Sequence, residues 1–105
     1  MASTKEYRDF ILEQLSELVE VSFRAMMGEY ILYYRGRIFG GIYDDRLLVK
    51  PVPSVVKLMP DAAMELPYDG AKEMILVDDV DNREFLCELV RSMWEDLPEK
   101  KRKKR

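Results

Sequence analysis

The stretch from Met26 to Lys50, MMGEYILYYRGRIFGGIYDDRLLVK, reads as three short strands joined by two tight turns. From Glu29 to Tyr34, residues Tyr30, Leu32 and Tyr34 share one face, and Ile31 and Tyr33 share the other. Arg35-Gly36 has the form of a two-residue hairpin loop, with glycine supplying the unusual backbone angle. Arg37 to Tyr43 forms the next strand. Its Gly40-Gly41 pair signals a bulge or the close approach of a neighbouring helix. Asp44-Asp45 makes the following turn, and Arg46 to Lys50 the last strand of the run, which Pro51 and Pro53 terminate. Strands that succeed one another through such short turns pair antiparallel.

Upstream, Met27-Gly28 interrupts the pattern, and Gly28 can adopt positive φ. Before it, Val21, Phe23 and Ala25 alternate with Ser22, Arg24 and Met26, as in a strand with one apolar face. The chain opens with a helix capped by Ser3 or Thr4, whose stripe is Tyr7, Phe10, Ile11, Gln14/Leu15 and Leu18. Downstream, Ser54 is placed to cap a short helix ending at Met59, and Glu73 to Val77 reads as a fifth strand. Asp81 or Asn82 caps a last helix running to about Leu97. Its stripe of Phe85, Leu86, Leu89, Val90, Met93, Trp94 and Leu97 suits packing across a sheet.

The order is α-β-β-β-β-α-β-α. It predicts an α+β fold with an antiparallel sheet of about five strands and both long helices on one face. The far face is expected to carry Tyr33, Phe39, Leu48 and Met26. It stands either as an apolar partner surface or beneath the short helix and the proline-rich loop. Residues 1–98 form a single domain, and 99–105 a basic disordered tail.

At 48% hydrophobic and 35% charged residues, the composition is that of a globular protein, and the apolar runs are too short to span a membrane. The lack of an apolar signal core and the single cysteine, Cys87, predict a cytoplasmic location. Eleven basic and 20 acidic residues give residues 1–99 a net charge of −9. The remaining six, Lys100, Lys101, Arg102, Lys103, Lys104 and Arg105, are all basic. Such a run either binds nucleic acid by counterion release or serves as a solvated end.

Catalytic chemistry has little to work with. The absence of histidine removes the commonest general base and metal ligand, and with it every Ser-His or Cys-His pair. Neither a metal site nor a glycine-rich phosphate loop is expected. Asp78, Asp79 and Asp81 lack calcium-loop spacing and suit a helix N-terminus. Asp44-Asp45 suits a turn, and Cys87 a packing thiol. Arg24, Arg35, Arg37, Arg46 and Lys50, interleaved with tyrosines, form either a nucleic-acid strip or ordinary cross-strand pairs with Glu29, Asp44 and Asp45.

Arg24-Ala25-Met26-Met27-Gly28-Glu29-Tyr30 followed by Leu32-Tyr33-Tyr34 resembles the start of the N-terminal domain of the TfoX/Sxy family, bacterial regulators of natural competence. Phe39, Asp44-Asp45-Arg46-Leu47 and Val49-Lys50 continue the likeness, as do Pro67-Tyr68-Asp69-Gly70-Ala71-Lys72 and the strand ending Val77-Asp78. The likeness covers roughly residues 4–98. It implies a curved antiparallel sheet with flanking helices, no catalytic residues and no cofactor. It also implies a regulatory domain acting on transcription through a protein partner or a homodimer, with Met27, Gly28, Tyr30, Tyr33, Tyr34 and Phe39 as motif residues of the partner surface. Family members that regulate competence act with the cyclic-AMP receptor protein and carry a second, helical domain. The expectation here is a stand-alone N-terminal domain, with DNA binding by residues 100–105 as the alternative role.

Overall fold

Each hairpin turn of the 21–49 meander holds two consecutive residues at positive φ. They are Met27 (53°) with Gly28 (87°), Arg35 (52°) with Gly36 (84°), and Asp44 (55°) with Asp45 (55°). Two-residue loops of this kind match the right-handed twist of the strands they join. A computed structural model describes residues 3–97. Its elements are α1 (Lys5–Gln14), β1 (Val21–Met26), β2 (Glu29–Tyr34), β3 (Arg37–Ile42), β4 (Leu47–Val49), α2 (Pro53–Leu58), β5 (Met64–Glu65), β6 (Met74–Leu76) and α3 (Arg83–Met93). A 3₁₀ turn, Trp94–Asp96, follows α3.

The six strands form one antiparallel sheet in the order β1-β2-β3-β4-β6-β5. The fold is α+β, as the element order predicts. The short β5 is an addition: its two residues pair with Ile75 and Met74 of β6. All three helices contribute to one core. Ile11 of α1 with Leu15 just after it, Val55 of α2, and Leu86, Leu89, Val90 and Met93 of α3 pack with Tyr30, Leu32, Tyr34, Ile42, Leu47, Val49 and Ile75 of the sheet.

Two expectations about the sheet's faces need correction. Phe39 is fully buried in the helix-side core rather than on the far face. The cause is a bulge: Leu32 faces Gly40 while Tyr33 faces Ile38, so Phe39 is an extra residue that breaks the alternation. Short helix α2 also lies on the core side through Val55, so it does not cover the far face. There the ring of Tyr43 lies over Gly41, and Tyr68 from the proline-rich loop stands 6.1 Å from Tyr43 between ring centroids. Leu48, opposite Gly41 and Leu76, is fully buried, while Ile38 and Met26 remain exposed.

The caps follow local chemistry with one exception. Thr4 Oγ1 accepts from the Tyr7 amide at 3.1 Å, and Asn82 Oδ1 from the Phe85 amide at 3.2 Å. Ser54 does not cap α2. Pro53 occupies its first turn, and the Ser54 amide donates to Asp96 Oδ2 at 2.9 Å. The end of α3 is tied to the β2–β3 turn by Trp94. The Arg37 guanidinium lies 3.8 Å from the Trp94 ring centroid and donates to the Trp94 carbonyl at 2.8 Å. Tyr34 meets the same ring edge-on at 6.0 Å.

Gly40 lets β3 and β4 approach. An added Cβ would collide with the Leu48 carbonyl oxygen and lie 2.9 Å from Val49 Cα, which are backbone atoms that cannot step aside. Gly36 has the opposite problem, a left-handed φ of 84° with open space around it. Gly36→Ala should therefore cost about 1–2 kcal/mol. Gly40→Ala should cost at least the upper end of the roughly 1–3 kcal/mol typical of overpacking. Urea unfolding of both variants measures the difference, and equal costs would contradict the close strand approach.

Candidate functional site

Strand β1 ends the sheet, and its exposure sets it apart. Every residue from Ser22 to Met26 is exposed. The hydrogen-bonding pattern follows from the register. Arg35 N donates to Glu20 O at 2.8 Å, and Met26 stands opposite Glu29, so even-numbered residues of β1 pair inward with β2. The N–H and C=O groups of Val21, Phe23 and Ala25 therefore point to the open edge. The side chains of these residues share the helix-side face, since they stand opposite Tyr34, Leu32 and Tyr30. Beside them lies a groove of about 400 Å³ between the end of α1 and β1, lined by Leu12, Leu15, Leu18, Val21 and Phe23. Phe23, 39% exposed, is held edge-on to Tyr30 at 5.7 Å and lies under the Arg8 guanidinium at 4.9 Å.

The six motif residues do not converge on one surface. Tyr30, Tyr34 and Phe39 are buried in the core. Met27 and Gly28 form the β1–β2 turn, where Met27 is 95% exposed. Tyr33 is half-buried on the far face, opposite Ser22 and Ile38. Met27 and Tyr33 are thus the two whose side chains reach the surface. The edge residues Val21, Phe23 and Ala25 were not singled out from sequence. Their alternation marked a strand, but only the strand order makes that strand an edge.

The acidic residues of the matched stretches serve the fold. Ser3 Oγ donates to Glu29 Oε1 at 2.7 Å, and the Asp44 amide donates to the same oxygen at 3.1 Å. The Thr4 amide donates to Asp45 Oδ1 at 2.8 Å, and the Ser3 amide to the Gly28 carbonyl at 3.0 Å. The start of α1 is thereby stitched to the β1–β2 and β3–β4 turns. Asp79 Oδ2 accepts from Asn82 Nδ2 at 3.2 Å beside the α3 cap. Among the described residues, no cluster of three His, Cys, Asp or Glu side chains is placed to hold a metal ion.

Most of the interleaved cations are committed as well. Arg35 pairs with Glu20 at 3.0 Å, and Arg46 with Glu65 at 2.6 Å, so the partners are not Glu29, Asp44 or Asp45. Arg46 also donates to the carbonyls of Tyr43 and Leu66, at 3.0 and 3.3 Å, which ties the β3–β4 turn to the segment after β5. Lys100, Lys101, Arg102, Lys103, Lys104 and Arg105 lie outside the described residues.

The chain matches the TfoX N-terminal domain over residues 13–97, a span running from the end of α1 through every strand to the end of the 3₁₀ turn. The chain belongs to that family. It is also 32% identical over 80 residues to an uncharacterized 12.7 kDa protein in the trpE 5′ region of Spirochaeta aurantia, covering 76% of this chain and 70% of that one. No solved structure matches. Within this TfoX N-terminal domain, no helix of the described residues is long and apolar enough to cross a membrane.

Burial is the main cause of an upward pKa shift at three groups. It raises the pKa of the Tyr7 phenol, helped by the carboxylates of Asp45 and Asp81, and that of Tyr43, helped by Tyr68 and Glu29. It also raises the pKa of the Cys87 thiol, with Glu17 adding to the effect and Arg91 opposing it. The Cys87 Sγ lies 3.6 Å from the Gln14 carbonyl oxygen, and the residue is a buried thiol between α3 and α1. A raised folded-state pKa means that the native state holds its proton longer than the unfolded chain does. The stability contributed is in place below the ordinary values, about 8.5 for the thiol and about 10 for the phenols, and is lost as pH rises through the folded values. The urea midpoint should therefore fall as pH rises above about 8.5. In Tyr7→Phe/Tyr43→Phe/Cys87→Ala the fall should be shallower, and an unchanged slope would contradict the assignment.

Proposed function

We propose that this chain is a non-enzymatic regulatory interaction domain of the cytoplasm that receives an extended segment of a protein partner as an added strand on β1. The observation that carries this reading is the open edge: the outward amides and carbonyls of Val21, Phe23 and Ala25 beside an apolar groove. Added strands gain affinity from main-chain hydrogen bonds and specificity from alternate side chains seated in pockets. Proteins commonly protect an exposed edge with proline, clustered charge or a bulge. In β1 the one charged residue is Arg24, and the bulge lies two strands away. The other edge, β5, is only two residues long.

The regulatory part of the proposal rests on family membership, which supports a competence-regulator-like domain. Action on transcription through the partner is the finer proposal. The non-enzymatic part rests on the lack of histidine, the buried thiol of Cys87 and the use of Asp44-Asp45 as a turn.

Ala25→Pro tests the edge. Proline there removes an outward N–H and leaves the β1–β2 ladder intact, so thermal stability should change little. A partner that co-purifies with the wild type should be lost from this variant and retained by Lys57→Gln. Undiminished recovery by Ala25→Pro would overturn the proposal.

A second reading is favoured by the basic run at 100–105. Six neutralised phosphates give a log–log salt slope near about −5 for duplex DNA. Fluorescence anisotropy across salt should return that slope for the full chain and no binding for residues 1–99. Equal binding by both would exclude the tail as the contact.

A further inference from the structure

The far face of the sheet carries a second groove, of about 480 Å³, between Tyr43 at the end of β3 and the loop 66–73 that joins β5 to β6. That volume lies within the range of small-molecule sites. Two stretches distant in sequence meet there. Tyr43 and Lys50 come from the flanks of the β3–β4 hairpin, and Tyr68, Gly70 and Lys72 from the loop. Arg46 holds the two together through Glu65 and the Leu66 carbonyl.

The lining of this groove departs from the acidic balance of the chain, although Asp69 and Glu73 belong to the same loop. Residues 1–99 carry −9, yet the groove is lined by two lysines and no carboxylate. Among the described residues neither Lys50 nor Lys72 forms an ion pair, whereas the neighbouring Arg46 does. The aromatic wall has matching features. Tyr43 is buried with its ring over Gly41, while Tyr68 is 55% exposed. Gly70, at φ +86°, turns the loop, and a Cβ there would meet nothing within 4 Å.

We infer that this groove binds a small organic phosphate that carries a flat ring. Lys50 and Lys72 would hold the phosphate by charge-assisted hydrogen bonds, and Tyr68 would stack on the ring. The site lies on the far face and draws on none of the β1 edge residues, so the two proposals stand or fall separately.

The test titrates the full chain with a nucleoside 5′-monophosphate and follows amide shifts by NMR, with the nucleoside and inorganic phosphate in parallel. The expected result is saturable shifts at Tyr43, Lys50, Tyr68, Gly70 and Lys72, with the nucleotide binding more tightly than either fragment. Lys50→Gln and Lys72→Gln should each weaken binding about tenfold, and Tyr68→Ala by a similar factor. Lys57→Gln, which removes a cation elsewhere on the surface, should leave it unchanged. Shifts confined to residues 100–105, equal binding of inorganic phosphate, or no saturation at millimolar nucleotide would each overturn the inference.

Discussion

Three pairs of left-handed residues hold this fold in register. At Met27-Gly28, Arg35-Gly36 and Asp44-Asp45 both residues have positive φ, so each connection spends two residues and no more. A two-residue turn fixes which strand residues face each other, and a slip of one would move every side chain to the other face. With Met26 opposite Glu29, the aromatic residues Tyr30 and Tyr34 face the helices. With Tyr43 opposite Arg46, Gly40 is brought against Val49 and Gly41 against Leu48. The left-handed conformation costs about 1–2 kcal/mol per non-glycine residue, least for Asp. At Asp44-Asp45 that cost is offset by the hydrogen bonds to Glu29, Ser3 and Thr4.

The strands and helices were legible because their signals are local. Alternation marked β1 and β2, proline closed β4, and Thr4 and Asn82 stood before periodic apolar runs. What escaped notice depends on distant contacts. The two-residue β5 exists only because β6 lies beside it. Counting alternate residues along β3 puts Phe39 with Tyr33, and the bulge reverses that assignment. The glycine pair signalled a bulge or a close helix: the bulge is present beside Gly40, at Phe39, and the close neighbour of Gly40 is the backbone of β4, not a helix. The N-terminal acceptor for α2 comes from Asp96, more than 40 residues downstream, which no local capping rule contains.

The same distinction governs the sites. The matched motif residues are mostly those that make the fold possible: turn glycine, turn aspartates and buried aromatics. Such residues identify a family and say little about what its surface touches. The β1 edge follows from strand order, and the lysine-lined groove from the return of the 66–73 loop across the far face. Neither is written in a short string. The two surfaces lie on different parts of the sheet and share no lining residue.

The open edge of β1 is best tested by amide hydrogen exchange, residue by residue, in dilute solution. Inward amides of Ser22, Arg24 and Met26 should be protected by the β1–β2 ladder, and the outward amides of Val21, Phe23 and Ala25 should exchange rapidly. That alternation would confirm a free edge with the register described. Uniform protection along 21–26 would mean the edge is already covered and would contradict the account.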